Sequence, residues 1–149
     1  MLSNIINRED LYPSILVSVR ASIDLLGKPS VKDMLSVVDW HMPASITPMR
    51  YAISIRSDDS MRRMISKAGN FVVNFMGREQ RSIVLSCENQ DSMFIDLFEF
   101  LGITKTDSEK IESPRIREAK AVLECEVIQE LDSGDHTIFL GRVLDSKND

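Results

Sequence analysis

Apolar and polar residues alternate over much of this chain, and the places where the alternation stops divide it into elements. "PSILVSVRA" (Pro13–Ala21) is rich in Ile and Val and reads as a strand. "LLGKPSVKD" (Leu25–Asp33) holds Gly, Pro and Ser and reads as a loop. "MLSVVDWHM" (Met34–Met42) reads as a second strand, "PASITP" (Pro43–Pro48) as a bounded connection, and "MRYAISIR" (Met49–Arg56) as a third strand. The period then changes. Met61, Met64, Ile65 and Ala68 fall at i, i+3, i+4 and i+7, one face of a helix. Ser57, Asp58 and Ser60 are N-cap candidates, and Gly69 suits the position after the helix.

"FVVNFM" (Phe71–Met76) returns to a strand pattern, followed by two short helical stretches. One is Glu79–Cys87; in the other, Phe94, Leu97, Phe98 and Leu101 share a face before Gly102. A hairpin closes the pattern, with strands Ala119–Leu131 and His136–Leu144. Strands dominate and do not alternate regularly with helices, as a parallel α/β chain would require. The expectation is a single mainly β (α+β) domain over residues 1–149, an antiparallel barrel with a few short helices.

Composition adds boundaries. Net charge is −5 and the pI about 5.1, which argues against a nucleic-acid partner, since that needs a basic surface. A single local anion site remains compatible with it. No apolar run approaches the roughly 20 residues of a membrane span. The N-terminal "MLSNIINREDLYPS" lacks a basic region followed by an apolar one. The expected location is therefore the cytoplasm, with no membrane partner. Cys87 and Cys125 lie in apolar surroundings and read as core thiols, not a disulfide framework.

The six glycines form neither GxGxxG nor a P-loop spacing, and there is no GxSxG elbow. Two His and two Cys without paired spacing give no metal site. Three stretches carry candidate chemistry. "DWHMPASITP" (Asp39–Pro48) holds the only Trp and one of two His; it reads either as a strand-end loop offering a flat side chain to a ring, or as a Trp covering a barrel mouth. "IRSDDSMRR" (Ile55–Arg63) runs from a strand into a helix N-terminus. It is either a phosphate site helped by Arg56, Ser57, Ser60, Arg62 and Arg63, or a solvated helix start capped by its own Asp58 and Asp59. "GDH" (Gly134–His136) is either plain turn chemistry or a His oriented by Asp135.

The order of these pieces resembles the flavin reductase-like family, whose fold is the FMN-binding split barrel. "DWHMPASITP", "YAISI", "GNFVVNF", "FEFLGIT", "SPRI" and "LECEVIQELDSGDHTIFLGRV" carry the likeness, which runs from about Ser14 to Val143. The resemblance implies a six-stranded antiparallel split β-barrel that forms a homodimer with FMN near its interface. It implies cofactor contacts from Asp39, Trp40, His41, Met42, Pro43, Ala44 and Ser45, a phosphate anchor at Arg56, Ser57, Ser60 and Arg62, and a further contact from Asn74. It places His136, with Asp135, near the flavin and an incoming nicotinamide. The function it implies is an NADH- or NADPH-dependent flavin reductase working by hydride transfer through flavin N5. Two other readings are an FMN electron carrier served by a redox partner protein and a split-barrel module that has lost FMN. Asp59 and Met61 depart from the resemblance, standing where the family often has a basic residue and then Ser or Thr.

Overall fold

The computed structural model describes residues 4–5 and 8–148. Its strands are β1 (Ile15–Leu25), β2 (Lys28–Val38), β3 (Trp40–Ser45), β4 (Arg50–Arg56), β5 (Asn70–Phe75), β6 (Lys105–Thr106), β7 (Arg115–Ile116), β8 (Ala121–Ser133) and β9 (His136–Asn148). Helix α1 (Ser60–Ala68) joins β4 to β5; α2 (Arg81–Cys87) and α3 (Leu97–Leu101) lie in the excursion between β5 and β8.

Seven strands form one sheet in the order β2-β1-β5-β8-β9-β4-β3, with every neighbouring pair antiparallel. The two edge strands, β2 and β3, are consecutive in the chain and separated by Asp39 alone. A sheet whose first and last strands are joined by one residue has to roll up, and no β2–β3 pairing closes the seam among the described residues. This is an antiparallel split barrel, the expected class, with one more strand than the expected six. The extra strand comes from the run Met34–Met42, expected as one strand, which breaks at Asp39 into two edges.

Two more expectations are corrected at those edges. Leu25–Asp33 is not a loop but a hairpin, with Leu25 paired to Lys28 across Leu26 and Gly27, both at positive φ (52° and 80°). Pro43–Pro48 is not wholly a connection, because β3 continues to Ser45 with an irregularity between Pro43 and Ser45. Pro29 and Pro43 lie within strands for one reason: proline is tolerated in a strand at an edge, where its missing N–H breaks no ladder. Phe94 also lies outside α3 and is exposed, so the expected four-residue helical face is shorter.

Period two sorts the side chains. Ile15, Val17 and Val19 of β1, Phe71, Val73 and Phe75 of β5, and Leu123 and Cys125 of β8 point into the barrel core. Asp59 caps α1, accepting from the Met61 N–H at 2.9 Å, and Gly69 ends it in the left-handed conformation. The helix buries Met61, Met64 and Ile65 in the same core, each side chain contributing roughly 1.5–3 kcal/mol. Gly141 is required on β9: a Cβ there would lie 2.8 Å from Cys125 Cβ and 2.9 Å from the Phe71 ring. Cys87 and Cys125 are buried and free, as expected, and burial pushes the Cys87 thiol up to about 12.

The outer face of β1, β5 and β8 is covered by the excursion. Leu16, Val72 and Val122 pack there against Val84, Leu97 and Phe98. Among the described residues the outer face of β9, β4 and β3 carries no such cover, and the candidate site lies on it.

Candidate functional site

Registers on β3, β4 and β9 decide which side chains share the uncovered face. Trp40 pairs with Ser54 and Met42 with Ala52; across β4, Ser54 pairs with Ile138, Ala52 with Leu140 and Arg56 with His136. Side chains at paired positions point to the same side. Trp40, Met42, Ala52, Ser54, Arg56, His136 and Ile138 therefore lie together, while Tyr51, Ile53 and Phe139 fill the barrel.

At the turn, Gly134 and Asp135 form a two-residue loop between paired Ser133 and His136, with Gly134 at φ 72°. The turn delivers His136 onto Trp40: the rings stack with centroids 4.3 Å apart and planes inclined by 24°. Asp135 Oδ1 accepts from His136 Nδ1 at 2.7 Å, which orients the imidazole and leaves Nε2 as the open ring nitrogen. That hydrogen bond holds the Asp135 carboxyl below its usual range. The turn is tied to the strand–helix junction, since Ser57 N–H donates to the Asp135 carbonyl at 2.9 Å and the Ser57 and Thr137 hydroxyls are 2.9 Å apart.

An open cleft of about 440 Å³ follows from this arrangement, lined by Asp39, Trp40, Arg56, Asp59, Asp135 and His136 among others. A second, more apolar hollow of about 410 Å³ continues from it across Trp40 to Met42, Ala52 and Ile138. Trp40 is 62% exposed and forms the shared wall. The surface can take a flat aromatic ring against Trp40, with most of the charged groups at one end. Among the described residues no group of His, Cys, Asp and Glu could hold a metal ion.

The structure thus brings together Asp39, Trp40, Met42, Arg56, Asp135 and His136. Other expected contacts fall elsewhere. His41 borders the apolar hollow, but its ring turns to the opposite face: its Nε2 donates to the Pro13 carbonyl at 2.7 Å, so its Nδ1 accepts from the Tyr51 hydroxyl at 2.8 Å. Burial lowers its pKa, and both nitrogens are occupied within the fold. Pro43, Ala44 and Ser45 lie further along β3, outside both linings. Ser60 lines an adjoining polar hollow with Asp58, Asp59 and Asp91. Arg62 is turned inward along the junction, donating through Nε to the Ser57 carbonyl at 3.0 Å.

Asn74 is a clear correction. It is fully buried under the excursion, donating to the Leu16 carbonyl at 2.9 Å and Ser18 Oγ at 3.0 Å, and accepting from the Ile116 N–H at 2.9 Å. It anchors β7 to the sheet and has nothing left for a cofactor. Conversely, Ala52 and Ile138 were missed as site residues; counting period two outward from Trp40 through "YAISI" and "HTIFL" would have found them.

A profile described as "Flavin reductase like domain" matches residues 12–149. This chain belongs to that family. A protein of Archaeoglobus fulgidus is 30% identical over 145 residues, covering 97% of this chain and 78% of the relative. Other archaeal relatives are longer, and the chain spans 60% and 48% of two of them. Among solved structures, an FMN-binding protein of Thermus thermophilus superposes with a TM-score of 0.79 at 19% identity, over 95% of this chain and 74% of that one. An NADH:FAD oxidoreductase of Streptomyces globisporus gives 0.75 at 20% identity, over 99% and 81%. At those identities the likeness is one of fold, and the flavin reductase-like split barrel is the fold it supports.

Proposed function

We propose that the chain is a flavin-dependent oxidoreductase that binds the flavin ring on Trp40 and takes electrons from NADH or NADPH. One observation carries the reading: the stacked Trp40–His136 pair stands at the junction of an apolar wall and a polar cleft, on the barrel face that no other part of the described chain covers. Family membership supplies the reaction class, and the named activity of the Streptomyces structure lends the donor. A bound flavin brings its own hydride and electron chemistry, so the protein need supply only position and electrostatics. Trp40 and Met42 hold a ring and exclude water from one side. Asp135 fixes the His136 imidazole, whose Nε2 meets the carboxamide of an incoming nicotinamide. The exposed apolar side chains on this face, Trp40, Met42 and Leu131, favour a second copy of the chain as its cover, giving a homodimer.

Anaerobic mixing of the protein with flavin and NADH or NADPH tests this. Bleaching of the flavin absorbance is the expected result. His136→Ala is expected to raise the nicotinamide KM and slow reduction about tenfold, the order of one lost hydrogen bond. Flavin that binds but is never bleached by either nucleotide would favour an electron carrier fed by a protein partner.

A further inference from the structure

The cations that line the cleft are each paired with, or flanked by, a carboxylate; Arg63, exposed on the first turn of α1, lines neither this cleft nor the adjoining hollow. Arg56 is the only Arg or Lys in the lining, and it makes a two-pronged contact with Asp58, Nε to Oδ1 at 3.1 Å and Nη2 to Oδ2 at 3.3 Å. Arg56 holds the Asp58 carboxyl below its usual range, so both members are charged together. His136 is bonded to Asp135. Arg62, behind the junction, faces Glu130 at 3.8 Å. Against these stand Asp39, Asp59 and Asp135 in the lining itself, with Asp58 and Asp91 in the adjoining hollow.

The helix N-terminus offers no compensation. The free amides and dipole of a first turn attract an anion, but here the chain's own Asp59 takes that place. Its side chain accepts from Met61 N–H at 2.9 Å and its carbonyl from Arg62 N–H at 3.1 Å. The resemblance placed an FMN phosphate at this junction. The ring end of the cleft fits a flavin; the polar end, where lining carboxylates outnumber cations and Arg56 is tied to Asp58, does not fit a phosphate dianion.

We propose that this site selects flavins that carry no phosphate, riboflavin above FMN and FAD. The proposal rests on the flavin reading of the Trp40 platform and sharpens it. A ribityl chain running along the cleft from Trp40 ends among Asp58, Asp59 and Asp135, where its hydroxyls can donate to carboxylates and a phosphate would be repelled. Because Asp58 and Asp135 are exposed, the repulsion is long-range and screened by salt.

The experiment is a pair of calorimetric titrations of the full chain, with riboflavin and with FMN, at about 0.05 M and about 0.5 M salt, concentrations that bracket strong and weak screening. Riboflavin is expected to bind about fivefold or more tighter at low salt, with the gap shrinking at high salt. The double variant Asp58→Asn, Asp59→Asn keeps an N-cap, frees Arg56, and is expected to raise FMN affinity by about fivefold. FMN binding as tightly as riboflavin at low salt, or a gap indifferent to salt, overturns the proposal and leaves the flavin reading standing. Failure of both flavins to bind overturns the flavin reading as well.

Discussion

The two halves of the sheet's outer face differ in what their polar groups are for. Over β1, β5 and β8, the excursion seals the face, and each polar side chain there is saturated. Glu124 is fully buried and accepts from the Glu109 N–H at 2.8 Å, the Lys110 N–H at 2.7 Å and Arg115, which also reaches Asp145 at 2.7 Å. Asn74 is used up in the same way. Over β9, β4 and β3, Trp40 and Met42 are exposed, and His136 keeps an open nitrogen. Buried polar groups need partners within the fold, and having them makes them structural. A half-used polar group beside an exposed aromatic ring is instead available to something outside the fold. The same barrel thus closes one flank and leaves the other open, the flank on which the proposed site lies.

The contrast can be broken most violently on the covered side. Glu124→Ala leaves the buried Arg115 short of a counter-charge and two loop amides short of an acceptor; it is expected to cost about 3–5 kcal/mol in denaturant unfolding. Asn74→Ala strands the Ile116 N–H and is expected to cost about 1–3 kcal/mol, with flavin affinity of the folded fraction unchanged. A loss of flavin binding in folded Asn74→Ala would restore it to the site. On the open side the signs reverse. Trp40→Ala is expected to leave unfolding within about 1 kcal/mol of wild type while weakening flavin binding about tenfold.

The smallest effect lies on β3, behind the open face. His41 has a lowered pKa when folded, so the unfolded chain binds the extra proton more readily. Its contribution is present above the ordinary value of 6.5 and is lost as pH falls through the folded value. As pH falls below about 6.5, wild type is expected to lose more stability than His41→Gln, read from paired denaturation curves. Parallel pH profiles would contradict the reading of His41 as a half-buried imidazole held by the Pro13 carbonyl and the Tyr51 hydroxyl.

Much of the barrel could be read from the chain. Alternation in "YAISI" and "FVVNF", the helical spacing of Met61, Met64 and Ile65, and Gly69 each follow from a local rule, and each element formed where its rule put it. The edges could not be read as easily, because Pro29 and Pro43 signal loops in any local reading and are permitted only by an edge position that exists once the sheet is assembled. The site was half visible for the same reason. Trp40 and His136 lie 96 positions apart, and their stacking depends on two strand registers that sequence does not fix. Asn74 was drawn into the site by resemblance, yet it sits on the outward period of β5, where the excursion buries it. Asp58 and Asp59 were legible as helix caps, and their consequence emerged only when Arg56 was found tied to Asp58.

Trp40 is the only tryptophan in the chain, so its emission reports on the open face and nowhere else. Titrating riboflavin into the protein while following that emission is the most direct test of where a flavin binds. Saturable quenching, abolished when the Trp40 wall is disrupted by Met42→Asp, is the predicted result. Emission that stays unchanged while calorimetry records flavin binding would place the ligand elsewhere on the barrel and contradict the assignment of the site.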